Sequence, residues 1–189
     1  MRRLNEGTLT LAHTERIHVY SVRQLAVVDR PAFRELRQIA VTLNPDDFVV
    51  TAAEQRAIPR LSIEDALEGV DDRNLFVGAF VGEPATLVAI AGLITSGLSK
   101  IRHAGHLTSV FVHPAHRRRG IGRMLVERLL AQAANAGMES VRLEVVADNL
   151  HAISLYESLG FVRYGCEPAA YRVDERAWDL LLMTRDCRK

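Results

Sequence analysis

The chain has 189 residues, 48% of them hydrophobic, and a formal net charge of +1. That length suits one domain, and that apolar fraction excludes a disordered chain. Near-zero net charge supplies no global field toward nucleic acid or an anionic membrane, even though 22 arginines stand beside only Lys100 and Lys189. No apolar run approaches the ~18 residues of a membrane span. The first seven residues lack the apolar core of a signal peptide. Cys166 and Cys187 have neither the number of a disulfide scaffold nor the spacing of a metal site. The expectation is a cytoplasmic protein with free thiols and no metal, membrane or nucleic-acid partner.

In chain order, residues 1–16 are mixed and read as a short arm or edge strand, with the main domain over 17–189. Alternation predicts a strand at 17–22. Asp29 is placed as an N-cap with Pro31 in the first turn, and Phe33, Leu36, Ile39 and Ala40 fall at helical spacing up to about Val41. Residues 44–60 hold two prolines and scattered charge and read as a long loop, of the kind that often walls a site. A short helix follows at 62–67, with Asp65 as the second half of a weak capping box. Strands at 75–81, 86–94 and 101–112, joined by short loops, form an antiparallel meander. A long helix spans 121–136, with Ile121, Leu125, Leu129 and Ala133 on one face and Gly137 at its end. A strand at 141–145 follows. Asp148 or Asn149 caps the next helix, which ends at Gly160. A strand at 161–165, a loop or bulged connection at 167–177 and a last strand at 178–183 complete the chain.

One stretch carries the chemistry: Val112-His113-Pro114-Ala115-His116-Arg117-Arg118-Arg119-Gly120-Ile121-Gly122-Arg123. A glycine turn between a strand and a helix aims backbone N–H groups at one point, where the helix dipole also favours an anion. A dinucleotide fingerprint needs a third glycine where Leu125 stands, and a Walker loop needs Gly-Lys-Ser/Thr, so neither fits. What remains is Arg117-x-x-Gly120-x-Gly122, preceded by Val112-x-Pro114 and followed by Asn149-x-x-Ala152-x-x-Leu155-Tyr156-x-x-x-Gly160-Phe161. This combination resembles the two central motifs of the GCN5-related N-acetyltransferase (GNAT) family. The likeness covers about 17–186 and is strongest over 107–161.

The resemblance implies an α/β single-domain fold: a mixed, mostly antiparallel twisted sheet with helices on both faces and two parallel strands splayed at the coenzyme site. It implies acetyl-CoA as co-substrate and transfer of its acetyl group to a primary amine by direct attack in a ternary complex. The alternative is a non-catalytic acyl-CoA-binding or regulatory module on the same fold. By the family pattern, backbone around Arg118, Arg119, Gly120, Ile121, Gly122 and Arg123 holds the pyrophosphate. Side chains of Arg117, Arg118, Arg119 and Arg123 are further phosphate candidates. The Val112 main chain is the candidate contact for the pantetheine arm. The Val110 N–H is placed to polarise the thioester carbonyl. Tyr156 is the candidate general acid for the thiolate, set against a role in the core. Asn149 caps its helix, contacts the cofactor, or does both. His106, six residues before Val112, is the candidate general base, with Glu144 as the second. Strand periodicity puts His106, Thr108, Val110 and Val112 on one face. In the family the acceptor site is shaped by segments matching 34–67 and 167–177, where Asp46, Asp47, Glu54 and Glu64 are available to a cationic amine. A homodimer is compatible with the family, and the acceptor stays open among protein N-termini, lysines, polyamines, aminoglycosides and small metabolites.

Overall fold

A computed structural model describes residues 19–68 and 74–188. The predicted arm at 1–16 and the first two residues of the strand predicted at 17–22 lie outside the described residues. Among the described residues, seven strands form one sheet. They are β1 (Tyr20–Gln24), β2 (Leu75–Val81), β3 (Thr86–Thr95), β4 (Ala104–Val112), β5 (Ser140–Val146), β6 (Val162–Val173) and β7 (Arg176–Asp186). Their order is β1-β2-β3-β4-β5-β7-β6. Every ladder is antiparallel except β4–β5. The helices are α1 (Arg30–Leu43), α2 (Ala52–Ala57), α3 (Ser62–Leu67), α4 (Ile121–Asn135) and α5 (Leu150–Ser158).

Two apolar layers clamp this sheet. On one face, Ile121, Leu125, Leu129 and Ala133 of α4 and Ile153 of α5 pack on Val77, Ala89, Leu93, Leu107 and Leu143. On the other, Phe33, Leu36 and Ala40 of α1 and Ile63 of α3 pack on Phe76, Phe80, Ile90 and Phe111. β2 and β3 are covered on both sides, which is why their sequence is almost continuously apolar. Gly92 opposes Phe76 across β2–β3, and a Cβ there would sit 2.7 Å from the ring Cδ1. Phe76 is buried and cannot yield. Gly92→Ala is therefore expected to lower stability by ~1–3 kcal/mol through overpacking, read as a lower denaturant midpoint at unchanged slope.

Three local expectations change in the fold. The strand predicted from residue 101 begins at Ala104, because Leu98 to His103 close turns instead. Of the loop or bulged connection expected over 167–177, the bulged alternative forms, as strand. β6 runs through to Val173 with bulges at Arg163/Gly165 and Glu167/Tyr171, then turns directly into β7. These bulges let exposed residues scramble the alternation that would have marked a strand. In α3, Glu64 rather than Asp65 accepts the Leu61 N–H, while Asp65 pairs with Arg60.

The feature that positions the site is the parting of β4 from β5. They pair only at Ala104–Ser140, Gly105–Val141 and His106–Arg142. Beyond His106, β4 stays with β3, and β5 stays with β7 over its whole length. β4 also carries a bulge, with Ser109 in the left-handed region at φ 56°. A bulge adds twist and bends its strand, and the bend carries β4 away from β5.

Candidate active site

The gap between β4 and β5 opens into a cavity of about 1360 Å³. That exceeds the ~300–1,000 Å³ of an ordinary small-molecule cleft and leaves room for a long cofactor and a second molecule. His106, Val110, Val112, Arg117, Arg118, Gly120, Ile121, Gly122, Arg123, Glu144, Asn149 and Tyr156 all line it. Arg119 does not: its guanidinium donates to the Tyr20 hydroxyl at 3.0 Å. The fold thus gathers residues from β4, β5, α4 and α5 that lie far apart in sequence.

The turn before α4 alternates conformations. Arg118 has φ 61° and Gly120 has φ 76°, both left-handed. Such alternation makes successive N–H groups converge into an anion-binding concavity. Gly120 is the α4 N-cap and offers no side chain to satisfy the first helical N–H groups. Gly122 lies close to α5: a Cβ there would stand 3.3 Å from Leu155 Cδ2, a tight contact.

The conspicuous arginines are mostly committed elsewhere. Arg117 donates through Nε to the Val112 carbonyl at 3.0 Å and through Nη2 to Asn44 Oδ1 at 3.1 Å. The carbonyl of the Val112 main chain, the candidate pantetheine contact, thus already accepts a bond from Arg117. Arg123 bonds Glu127 and the Ser158 hydroxyl. Only Arg118 of the four lacks a hydrogen-bond partner among the described residues.

The β4 bulge overturns the single-face expectation. His106 pairs with Ile94 and Thr108 with Gly92, on the α1 side of the sheet. Val110 and Val112 pack toward the α4 side. Glu144 lies two residues beyond Arg142, the partner of His106, so His106 and Glu144 share a face. Neither Ser109 nor Val110 has a ladder partner on β3 or β5 among the described residues. The main chain at Val110 therefore borders the gap.

Across the gap stands Tyr156, buried in the α5 face with its ring edge-on to Phe161 at 5.8 Å. Its hydroxyl has no hydrogen-bond partner among the described residues. Burial pushes its pKa above the usual tyrosine value, and the nearby Asp47 charge adds to the shift. Asn149 is the α5 N-cap: Oδ1 accepts from Ala152 N at 3.0 Å, while Nδ2 donates to Asp47 Oδ1 at 2.9 Å. Partial burial pushes the Asp47 carboxyl upward, opposed by the Asn149 bond.

Of the four acidic residues expected near the acceptor, Asp46 and Asp47 line the cavity, Asp46 paired with Arg176 at 2.7 Å. Glu54 and Glu64 do not. Glu54 caps α2 through Thr51, and Glu64 is buried against Arg34. Sequence reading missed Arg37, Phe48, Tyr171 and Trp178, which also form the wall. Arg37 follows Leu36 on the buried face of α1, and an arginine there was the available signal. Among the described residues, no group of His, Cys, Asp or Glu side chains could hold a metal ion, and no helix is long and apolar enough to cross a membrane.

A family model described as the acetyltransferase (GNAT) family matches residues 34–161. The chain belongs to the GNAT family. Within GNAT, it is 40% identical over 114 residues to the N-alpha-acetyltransferase RimI of Mycobacterium tuberculosis, covering 60% of this chain and 66% of that protein. It is 49% identical over 55 residues to the [ribosomal protein bS18]-alanine N-acetyltransferase of Salmonella typhimurium, covering 29% and 37%. The first curated relatives are spanned over only 30% to 66% of their own lengths. The GNAT fold itself matches yncA of Salmonella typhimurium, solved with its cofactor acetyl-CoA. The TM-score is 0.73 at 22% identity, over 90% of this chain and 95% of that one.

Proposed function

We propose that this chain is an acetyl-CoA-dependent N-acetyltransferase acting on a primary amine. One observation carries the reading: the parted β4 and β5 lead directly to the left-handed glycine turn at the α4 N-terminus, with Tyr156 facing the same cavity. The residues fit the co-substrate. The α4 turn is a pyrophosphate cradle narrowed by Leu155, and the unladdered stretch of β4 borders a channel long enough for an extended arm. Acetyl-CoA, when bound, supplies an activated thioester carbonyl.

This chain's groups do the rest. The Val110 N–H donates toward the thioester carbonyl oxygen and stabilises negative charge gathering there. His106 takes a proton from the ammonium form of the acceptor, whose ordinary pKa of ~10.4 for an alkylamine keeps it unreactive at neutral pH. Glu144, on the same face, holds the ammonium near that base. Tyr156 delivers its proton to the departing sulfur. The bond to nitrogen forms as the bond to sulfur breaks; the second proton that the nitrogen sheds on becoming an amide replaces the one Tyr156 gave to sulfur, and the proton on His106 passes to solvent. The relatives' names point to α-amino groups as one acceptor class, and the free thiols of Cys166 and Cys187 suit a cytoplasmic setting.

The test is acetyl-CoA binding by calorimetry together with free-thiol release over a panel of amines. Saturable binding with turnover on at least one amine is expected. Binding without turnover on any amine would instead favour the acyl-CoA-binding module. His106→Gln is expected to lower kcat/KM ~100-fold or more, as loss of a general base does. An unchanged kcat/KM would transfer the role to Glu144 or to water, and Glu144→Gln then becomes the deciding variant.

A further inference from the structure

Arg37 is the half-buried arginine of this cavity that meets no carboxylate among the described residues. It projects from α1, half-buried, with its guanidinium 4.5 Å from the centre of the Phe48 ring. Its hydrogen bonds are long and go only to neutral atoms: Nε to Gln55 Oε1 at 3.3 Å, and Nη1 to Ser109 Oγ at 3.4 Å. Nη2 has no partner among the described residues, and no carboxylate lies within ion-pair range. The contrast with its neighbours is direct. Arg34, one turn earlier on the same helix, is matched by Glu64 at 2.6 Å, and Arg23 by Asp29 at 2.6 Å. Desolvation without a compensating anion pushes the Arg37 pKa down to about 10. A cation held this way is costly unless an opposite charge arrives from outside.

Its position says what should arrive. Arg37 touches Ser109, and Ser109 immediately precedes Val110, whose N–H borders the acyl-transfer point. Consecutive Cα atoms are only ~3.8 Å apart. An anion on Arg37 therefore belongs to the acceptor molecule close to its nucleophilic amine. The planar fork of a guanidinium suits a carboxylate taken by two N–H groups. Asp47 and Glu144 line other walls of the same cavity and favour an ammonium. Opposite charges on different walls of one cavity match a zwitterion.

We infer that Arg37 is the carboxylate-binding residue of the acceptor site, and that the acceptor is a free α-amino acid rather than a peptide N-terminus. This rests on the N-acetyltransferase reading above and narrows its substrate class. No new bond chemistry is required: the amine attacks as before, and the carboxylate stays ionised on Arg37.

The experiment is steady-state acetylation of the protein-forming L-amino acids, each beside its carboxamide, and of an alanine-initiated peptide amide. At least one free amino acid should be turned over, with its amide losing ~100-fold in kcat/KM because the buried cation is left unpaired. Arg37→Gln should lose a similar factor on the acid, mainly in KM, and little on the amide. Arg37→Lys should recover part of the preference. Equal turnover of acid and amide by the wild-type enzyme overturns the inference without needing any variant to fold. So does turnover confined to the peptide, or an acid preference that survives Arg37→Gln. Those results leave the acetyltransferase reading intact, whereas thiol release on no amine at all would overturn both.

Discussion

Gly120→Glu is expected to weaken acetyl-CoA binding at least ~100-fold, or ~2.8 kcal/mol. Two effects add. Gly120 sits at φ 76°, where an L side chain is strained by ~1–2 kcal/mol. The new carboxylate also stands at the α4 N-terminus, where the dipole favours an anion, and so competes for the position the pyrophosphate requires. A control separates the two. A Cβ at Gly120 meets nothing within 4 Å, so Gly120→Ala introduces the strain without the bulk or the charge. It should retain binding within ~10-fold, consistent with strain alone. Calorimetry on folded variants decides the matter. An unchanged dissociation constant for Gly120→Glu would remove the turn from the cofactor site.

Tyr156→Phe should lower kcat by ~10²–10⁴-fold, the range for loss of a positioned general acid. The dissociation constant of acetyl-CoA should stay within a few-fold. The substitution is clean here for a structural reason. Phenylalanine keeps the edge-on contact with Phe161 and the buried apolar face. The deleted hydroxyl leaves no protein group unpaired. The same burial, aided by Asp47, raises the tyrosine pKa above its ordinary ~10 and keeps the proton in place. The sign is fixed: Tyr156 stays in its acid form throughout the neutral and mildly alkaline range. The wild-type rate should accordingly show no alkaline decline from this group below that ordinary value. A kcat equal to wild type would return Tyr156 to packing alone.

Much of this site was legible in the chain because its signals are local. Ile121, Leu125, Leu129 and Ala133 repeat at helical spacing, so α4 and its buried face follow from periodicity. Gly120 and Gly122 mark a turn whose backbone must take a left-handed step and approach α5 closely. Asn149 three residues before Ala152 is a cap readable at short range, and it forms. The strands β2 and β3 announce themselves by uninterrupted apolar residues. Each of these depends on interactions within a few positions along one segment.

Other features depend on what a segment meets. Nothing around Ser109 marks a bulge, yet that one residue sends His106 and Val110 to opposite faces. Alternation at 167–177 is erased by a further bulge at Glu167/Tyr171 on an exposed edge strand. Arg117, Arg119 and Arg123 look like a phosphate cluster in one dimension, and their partners Asn44, Tyr20 and Ser158 come from three other elements. Asp47 meets Asn149 across 102 residues. Arg37 reads as an ordinary helix arginine until the fold surrounds it with Phe48, Gln55 and Ser109 and no carboxylate.

The sequence by itself determined most of the elements and the glycine turn, which rest on periodicity and backbone conformation, and its two motifs carried the resemblance to the family. Only the tertiary structure decided which face each β4 side chain takes, which arginines are already paired, and that Arg37 is left half-buried in the cavity with no carboxylate beside it. Pairing and desolvation are properties of neighbours in space, and the chain chooses those neighbours only when it folds.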